Sequence, residues 1–164
     1  MRLFLKIKLL DQNSLPGKLN VGDGLRTIKG KLLLKEFVFT PKVGIRQQFG
    51  NPQVNESDFS LVWQDFDPSS IKFPKGATHF ELLYLVLAYK NANKIFTTYS
   101  STPIRRSKTD KTEILELQTK LPIIKEDGVL YISTLGLRYI EILGNEEYNL
   151  LGKDAIGIEI MGVW

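Results

Sequence analysis

The stretch that decides the fold is THFELLYLVLAYK, residues 78–90. Turn signals bound it on both sides, with the proline and glycine of FPKG (73–76) before it and NAN (91–93) after it. After Glu81 both faces of an extended chain would be apolar, which is typical of a strand buried on both sides. Tyr, Val and Phe favour a strand over a helix of the same length. We therefore predict a central β-strand here.

Alternating segments separated by turn residues occupy most of the chain outside this strand. Gly136 lies inside the longest of them and predicts a bend or bulge there. The pattern predicts an all-β fold, an antiparallel β-sandwich of about eight strands. The further predicted strands are LLLKEFVF (32–39), DFSLVWQDF (58–66), KIFTTYS (94–100), TEILELQT (112–119), VLYISTLGLRYIEIL (129–143) and a closing hairpin within 144–164.

The first element, MRLFLKIKLL (1–10), is open to two interpretations. A strand would place on one face Leu3, Leu5, Ile7 and Leu9. A helix would instead gather Leu3, Ile7 and Leu10. We leave both open and describe the element as an ambiguous N-terminal arm, strand or short helix.

The sequence pattern of the same element argues against a signal peptide. Lys6 and Lys8 interrupt its apolar run, and no small-residue cleavage site follows. We therefore expect it to belong to the folded chain, and we make no prediction of the compartment. The expected division is an N-terminal arm, residues 1–17, and a β-sandwich domain, residues 18–164.

Composition narrows the classes of function. Hydrophobic residues make up 43% of the 164 residues and charged residues 24%, which is ordinary for a globular domain. The absence of cysteine excludes disulfides, thiolate metal sites and cysteine nucleophiles. The net charge of +4 is too small to predict nucleic-acid binding. No apolar run is long enough to span a bilayer.

No catalytic constellation, metal site or cofactor site is predicted. His79 is the single histidine, and neither a G-x-S-x-G elbow nor further nitrogen or sulfur ligands accompany it. We interpret His79 as a polar residue at the beginning of the central strand, with its imidazole hydrogen-bonded to a nearby backbone group. Asp65 and Asp67 have the composition of a calcium loop, but DPSS after a strand favours a turn.

A basic cluster follows the central strand. Its residues are Lys94, Arg105, Arg106, Lys108 and Lys111, with Phe96 and Tyr99 nearby. Basic groups with interleaved aromatics can contact a polyanion or an acidic protein surface. The alternative is a solvated loop whose charges protect an edge strand from unwanted pairing.

Three stretches in this order, LRTIKGKLLLKEFVF (25–39), PKGATHFELL (74–83) and LGLRYIEILGNEEYNLLGKDAIGIEIM (135–161), resemble the C-terminal β-domain of an uncharacterised family of Bacteroidetes proteins. The resemblance covers roughly residues 18–162. Members of that family are longer and carry a helical, basic N-terminal region that this chain lacks. MRLFLKIKLL could correspond to the last helix of that region, which is one reason to retain the helical interpretation of this segment. The resemblance implies a β-sandwich and no activity, so no catalytic residue carries over.

These observations lead to two hypotheses of function. The first is a non-enzymatic structural or protein-interaction module that binds itself or another protein, through sheet edges and the N-terminal arm. Its candidate assembly contacts are Leu3, Leu5, Ile7 and Trp164. The alternative is a carbohydrate-binding module that uses loop carboxylates and exposed aromatics, drawn from Trp63, Tyr84, Tyr131, Tyr139, Tyr148 and Trp164.

Overall fold

A computed structural model describes residues 2–164, in which antiparallel strands predominate. The helices are α1 (Leu3–Lys8), α2 (Val21–Leu25), α3 (Ile28–Lys35) and α4 (Ile45–Phe49). The strands are β1 (Gln53–Val54), β2 (Leu61–Phe66), β3 (His79–Lys90), β4 (Ile95–Ser100), β5 (Ile104–Ser107), β6 (Glu113–Leu117), β7 (Val129–Leu143), β8 (Glu146–Asn149) and β9 (Ile156–Val163). The predicted all-β class is confirmed, while the finer sandwich architecture stays a prediction.

The larger sheet is built around the two longest strands, β3 and β7. They pair antiparallel without interruption from His79↔Ile140 to Lys90↔Val129. On the outer side of β3 lie β4 and β5, one after the other, and on the outer side of β7 lie β9 and β8. The strand predicted at residues 78–90 is therefore confirmed as a central strand, with neighbours on both sides.

One face of this sheet forms the main hydrophobic core with the smaller sheet, whose strand order is β1-β2-β6. Tyr84 lies in this core with no exposed surface, and its hydroxyl donates to the Phe59 carbonyl at 2.8 Å. Burial raises the pKa of Tyr84 to about 12, so the donor proton stays in place. The core side chains of the strands include Leu61, Trp63, Phe80, Leu82, Val86, Leu115 and Leu117.

The opposite face of the larger sheet is covered at one end by α1, α2 and α3. Ile7, Leu25 and Leu34 form a second apolar cluster with Leu130 of β7. Tyr89 packs against the same cluster. The helical interpretation of the N-terminal arm is thus the one that the structure shows. Residue 1 of the predicted arm lies outside the described residues, and the predicted boundary between residues 17 and 18 stays a prediction.

The strand predicted at LLLKEFVF (32–39) is wrong. Its first half belongs to α3, and its second half, from Phe37, has no regular structure. The Thr27 side chain caps α3 by accepting a hydrogen bond from Gly30 N at 3.0 Å. Leu34 then packs in the second apolar cluster. A local cap and tertiary packing therefore outweigh the strand propensity of this segment.

The bulge predicted at Gly136 is also wrong. Gly136 pairs in regular register with Leu83 on one side and Ile158 on the other. The irregularity lies between Ser133 and Thr134, where β7 meets β9. A Cβ atom at Gly136 would come no closer than 3.6 Å to any neighbour, so nothing in the fold requires glycine there.

A chain of polar contacts connects the helices to the sheet. The Asp11 carboxylate accepts the backbone N–H groups of Asn13, Ser14 and Asn20 at 2.9, 3.1 and 2.9 Å. Asn20 caps α2 by accepting from Asp23 N at 2.8 Å. The Asp23 carboxylate in turn accepts from Asn91 Nδ2, in the turn after β3, at 3.0 Å. These bonds fix how the helices sit on the sheet.

We predict opposite effects for alanine at two glycines. At Gly24, a Cβ atom would lie 2.0 Å from the Ile7 carbonyl, so Gly24→Ala should push α1 and α2 apart and destabilise the fold by about 1–3 kcal/mol. At Gly136 there is room, so Gly136→Ala should stabilise by about 0.5–1 kcal/mol. Urea unfolding of both variants measures the difference. Equal effects of the two substitutions would contradict the described packing.

We also predict that the stability of the fold falls in acid through Asp11. Burial of Asp11 disfavours its charge, but the hydrogen bonds from Ser14, Asn20 and Asn13 outweigh burial and lower its pKa from 3.8 to about 2. The charged form is favoured in the folded state, so the stabilisation is complete above the unfolded pKa and is lost as the pH falls through the folded one. Asp11→Asn should lower stability at neutral pH and flatten its decline between those two values. Unfolding of both proteins across this range tests this, with exposed Asp65→Asn as the control.

Candidate interaction surface

β4 is an edge strand of the larger sheet. It follows a turn over residues 91–94, in which Lys94 adopts a left-handed conformation with φ 58°. Its sequence, IFTTYS, is rich in β-branched and aromatic residues and carries no charge, which explains why it forms a strand. Ile95 and Phe96 are 54% and 62% exposed. β4 therefore offers an apolar, uncharged strand to the solvent.

The hydrogen-bond pattern shows which backbone groups of β4 face outward. Ser101 N donates to the Tyr84 carbonyl at 2.9 Å, so these opposite residues form a hydrogen-bonded pair. Such pairs recur at every second position of an antiparallel ladder. The N–H and C=O groups of Phe96, Thr98 and Ser100 consequently point away from β3.

Only some of these outward backbone groups have a hydrogen-bond partner. The Ser100 carbonyl accepts from Lys120 N at 2.9 Å. The backbone groups of Phe96 and Thr98 have no partner among residues 2–164. We call these two residues the open edge. Unpaired strand edges of this kind are templates for pairing with another chain.

The opposite edge of the sheet, formed by β9, is protected, because residues outside the sheet bond the outward backbone groups of β9. The Thr40 hydroxyl accepts from Ile158 N at 3.0 Å and lies 3.3 Å from the Ile158 carbonyl. The Arg46 guanidinium donates to the carbonyls of Ile160 and Met161, and it is held by Glu159 at 2.6 Å. The chain therefore protects one edge with dedicated side chains and leaves the other uncovered.

Other outer strands carry charge. β8 contains Glu146 and Glu147, and β6 contains Glu113 and Glu116. Charged side chains on an edge strand disfavour pairing with another strand. β4 differs from both in having none.

The open edge is held in place by packing on both faces of the sheet. The Phe96 ring stacks on Tyr89 with centroids 4.4 Å apart and planes at 24°. Tyr89 itself packs against the apolar cluster of the helices, and Tyr99 packs against the main core. An incoming strand would thus meet an edge that is already ordered, which lowers the entropy cost of binding.

The predicted basic cluster does not form one surface. Arg105 and Arg106 are neighbours on β5, so their side chains leave the sheet on opposite faces. Arg105 pairs with Glu147 at 2.9 Å, and Arg106 pairs with Glu113 at 2.7 Å. Lys108 and Lys111 lie in the exposed loop after β5, and Lys94 lies in the turn before β4. The separation of these groups gives no continuous track for a polyanion.

Arg105 belongs instead to a neutral network on the face of the sheet that carries His79. Glu81 accepts from Arg138 Nε at 2.7 Å and from Arg105 at 3.3 Å. The hydrogen bond from Arg138 is the main cause that lowers the pKa of Glu81, with Arg105 adding to it. Glu147 lies near both arginines, so two positive and two negative groups balance here.

His79 and Asp67 have local structural contacts. The His79 ring lies 2.9 Å from the Thr78 hydroxyl, so its partner is a side chain, where we expected a backbone group. Asp67 accepts from Ser69 N at 3.0 Å, which confirms the turn interpretation of DPSS. Across residues 2–164, no three His, Asp or Glu side chains are grouped as a metal-ligand set.

The candidate assembly contacts are divided between the interior and the surface. Ile7 has no exposed surface, so in this fold it cannot touch a partner. Leu3 is half-buried and Leu5 is exposed. Trp164 pairs with Tyr131 through backbone hydrogen bonds, and its ring packs edge-on against Phe59 at 5.2 Å.

Most of the aromatics considered for sugar binding belong to the core. Trp63, Tyr84, Tyr131 and Tyr139 are buried. Tyr148 is exposed on β8, and Trp164 is half-buried against Phe59. The buried rings cannot serve as an exposed stacking platform, which removes most of the aromatics on which the carbohydrate hypothesis depends.

Comparison with protein-family models, with curated proteins and with solved structures found no match for this chain. None of the helices within the described chain has the length and apolar character needed to cross a membrane.

Sequence reasoning located this strand but did not show that part of its outer side is uncovered. KIFTTYS was predicted as a strand after the turn signal NAN, and β4 is that strand and pairs with β3. That its outer side is covered at Ser100 but not at Phe96 and Thr98 depends on where Lys120 lies, which local sequence does not show. The available signal was an uncharged, β-prone segment directly after a hairpin turn.

We predict that Thr40 keeps the β9 edge closed. Thr40→Val removes the hydroxyl that accepts from Ile158 N and donates to the Val43 carbonyl, so the Ile158 amide should exchange its hydrogen faster and stability should fall by about 1 kcal/mol. Hydrogen exchange measured by NMR tests this. Thr98→Val on β4 is the matched control, and unchanged protection of Ile158 in Thr40→Val would contradict the assignment.

Proposed function

We propose that this chain is a non-enzymatic structural or protein-interaction module that binds another protein by adding a strand to β4. The observation that carries the proposal is the open edge, at which Phe96 and Thr98 direct four unpaired backbone groups to the solvent. Strand addition satisfies such groups and draws its affinity from main-chain hydrogen bonds.

The contrast between the two sides of the sheet supports this function. Thr40 and Arg46 close the β9 edge, although they come from a segment more than a hundred residues earlier in the chain. An uncovered edge normally exposes a protein to aggregation, so an ordered edge without charge or proline is costly to keep. Retention of such an edge is explained by a partner that covers it.

Side-chain chemistry on β4 sets the kind of partner. Phe96 and Thr98 project from one face of the strand, and Ile95, Thr97 and Tyr99 from the other. A partner strand with apolar or hydroxylated side chains would match both faces, because cross-strand aromatic and β-branched pairs are favourable. The partner is therefore an extended, uncharged, β-prone segment of a protein.

We predict that a fluorescent peptide with the sequence of residues 94–101, KIFTTYSS, binds the open edge. Binding should slow hydrogen exchange at the Phe96 and Thr98 amides, since both become donors in the new ladder. Thr98→Pro removes one of these donors without touching a bond to β3, and should abolish binding. Fluorescence anisotropy and NMR hydrogen exchange measure the two effects.

Thr98→Val is the matched control, because it keeps the amide and the strand propensity, and it should bind the peptide like the wild type. A peptide with proline in place of Thr98 should not bind. Protection of amides elsewhere in the chain, or equal binding by Thr98→Pro, would show that the open edge is not the binding surface.

A further inference from the structure

We infer that the strand that covers the open edge is β4 of a second copy of this chain, in antiparallel register with Thr97 on the two-fold axis. This inference rests on the proposed function and adds the identity and register of the partner. In this arrangement the two six-stranded sheets join into one continuous sheet across the dimer.

The hydrogen-bond geometry of β4 selects this register. With Thr97 opposite its symmetry mate, Phe96 of each copy lies opposite Thr98 of the other. Both pairs are hydrogen-bonded pairs, because these are the residues whose backbone groups point outward. Every unpaired N–H and C=O group of the open edge is then satisfied by an identical chain.

Shifting the two-fold axis by one residue in either direction conflicts with contacts or backbone conformations seen in the structure. Moving the axis to Thr98 would pair Phe96 with Ser100, whose carbonyl already accepts from Lys120 N at 2.9 Å. Moving it to Phe96 would pair Thr98 with Lys94, which has φ 58° and leaves the extended conformation. The register centred on Thr97 therefore pairs both residues of the open edge. Lys94 then lies opposite Ser100, so the new ladder ends at the Ile95–Tyr99 pairs.

The side chains of β4 are compatible with self-pairing. Across the axis, Phe96 faces Thr98 on one side of the sheet, and Ile95 faces Tyr99 on the other. Aromatic and β-branched residues form favourable cross-strand pairs. Because β4 carries no charge, two copies meet without the like-charge repulsion that Glu146 and Glu147 would cause on β8.

Disulfide trapping tests the register directly, because the chain has no cysteine of its own. In the inferred dimer the two Thr97 residues form a non-hydrogen-bonded pair with Cα atoms about 4.5 Å apart. This separation lies within the range for a disulfide. Thr97→Cys should therefore give a covalent dimer under mild oxidation. Ile95→Cys is the matched control on the same strand face, since its two cysteines would lie about 13 Å apart and should not cross-link.

Light scattering after size-exclusion chromatography gives the second readout. The wild-type chain should elute with twice the chain mass, and Thr98→Pro with the mass of a monomer. If Thr98→Pro does not fold, the cysteine pair still decides the register. Equal cross-linking of Thr97→Cys and Ile95→Cys, or a dimer that persists in folded Thr98→Pro, would overturn the inference.

A wild-type chain that stays monomeric at all concentrations would overturn it as well. The proposed function is judged separately by the KIFTTYSS peptide. Peptide binding by a monomeric chain would keep strand addition as the function and assign the open edge to a different protein.

Discussion

The pairing of β3 with β7 is the interaction on which the other parts of the structure depend. The two strands run antiparallel without a break from His79↔Ile140 to Lys90↔Val129. Because side chains alternate along a strand, this ladder defines two faces at once. One face carries Tyr84 into the main core, and the other carries Leu130 into the cluster with the helices. Loss of this ladder would separate both layers.

The ladder also determines which strands form the two edges of the sheet, and the two edges differ in whether their outward backbone groups are bonded. Thr40 and Arg46 cover the outward groups of β9, whereas nothing in the described part of the chain bonds the outward groups of Phe96 and Thr98 on β4. A strand edge that is ordered, uncharged and unpaired is a surface for another strand. Its fit to a second copy follows from local geometry, since Ser100 is already bonded and Lys94 leaves the strand conformation. Function in this protein is thus proposed from the backbone and not from a cluster of reactive side chains.

Sequence patterns predicted the long strands well, because β3, β7 and β2 show clear apolar runs or alternation between turn signals. They misjudged residues 32–39, where the cap at Thr27 and the burial of Leu34 favour a helix. They also placed Arg105 and Arg106 in one basic cluster, although adjacent strand residues point to opposite faces and each arginine meets its own carboxylate. Glu113 lies only seven residues from Arg106, but Glu147 comes from a strand much later in the chain, so local sequence does not show that it meets Arg105.

The sequence by itself determined that strands would dominate, that residues 78–90 would be central, and that cysteine chemistry was excluded. These properties follow from composition and from side-chain alternation, which are local. Only the tertiary structure decided that Thr40 would reach Ile158 and Lys120 would reach Ser100, while none of residues 2–164 would bond the outward groups of Thr98. Whether a strand edge is open depends on contacts between segments far apart in the chain, and such contacts exist only once the chain has folded.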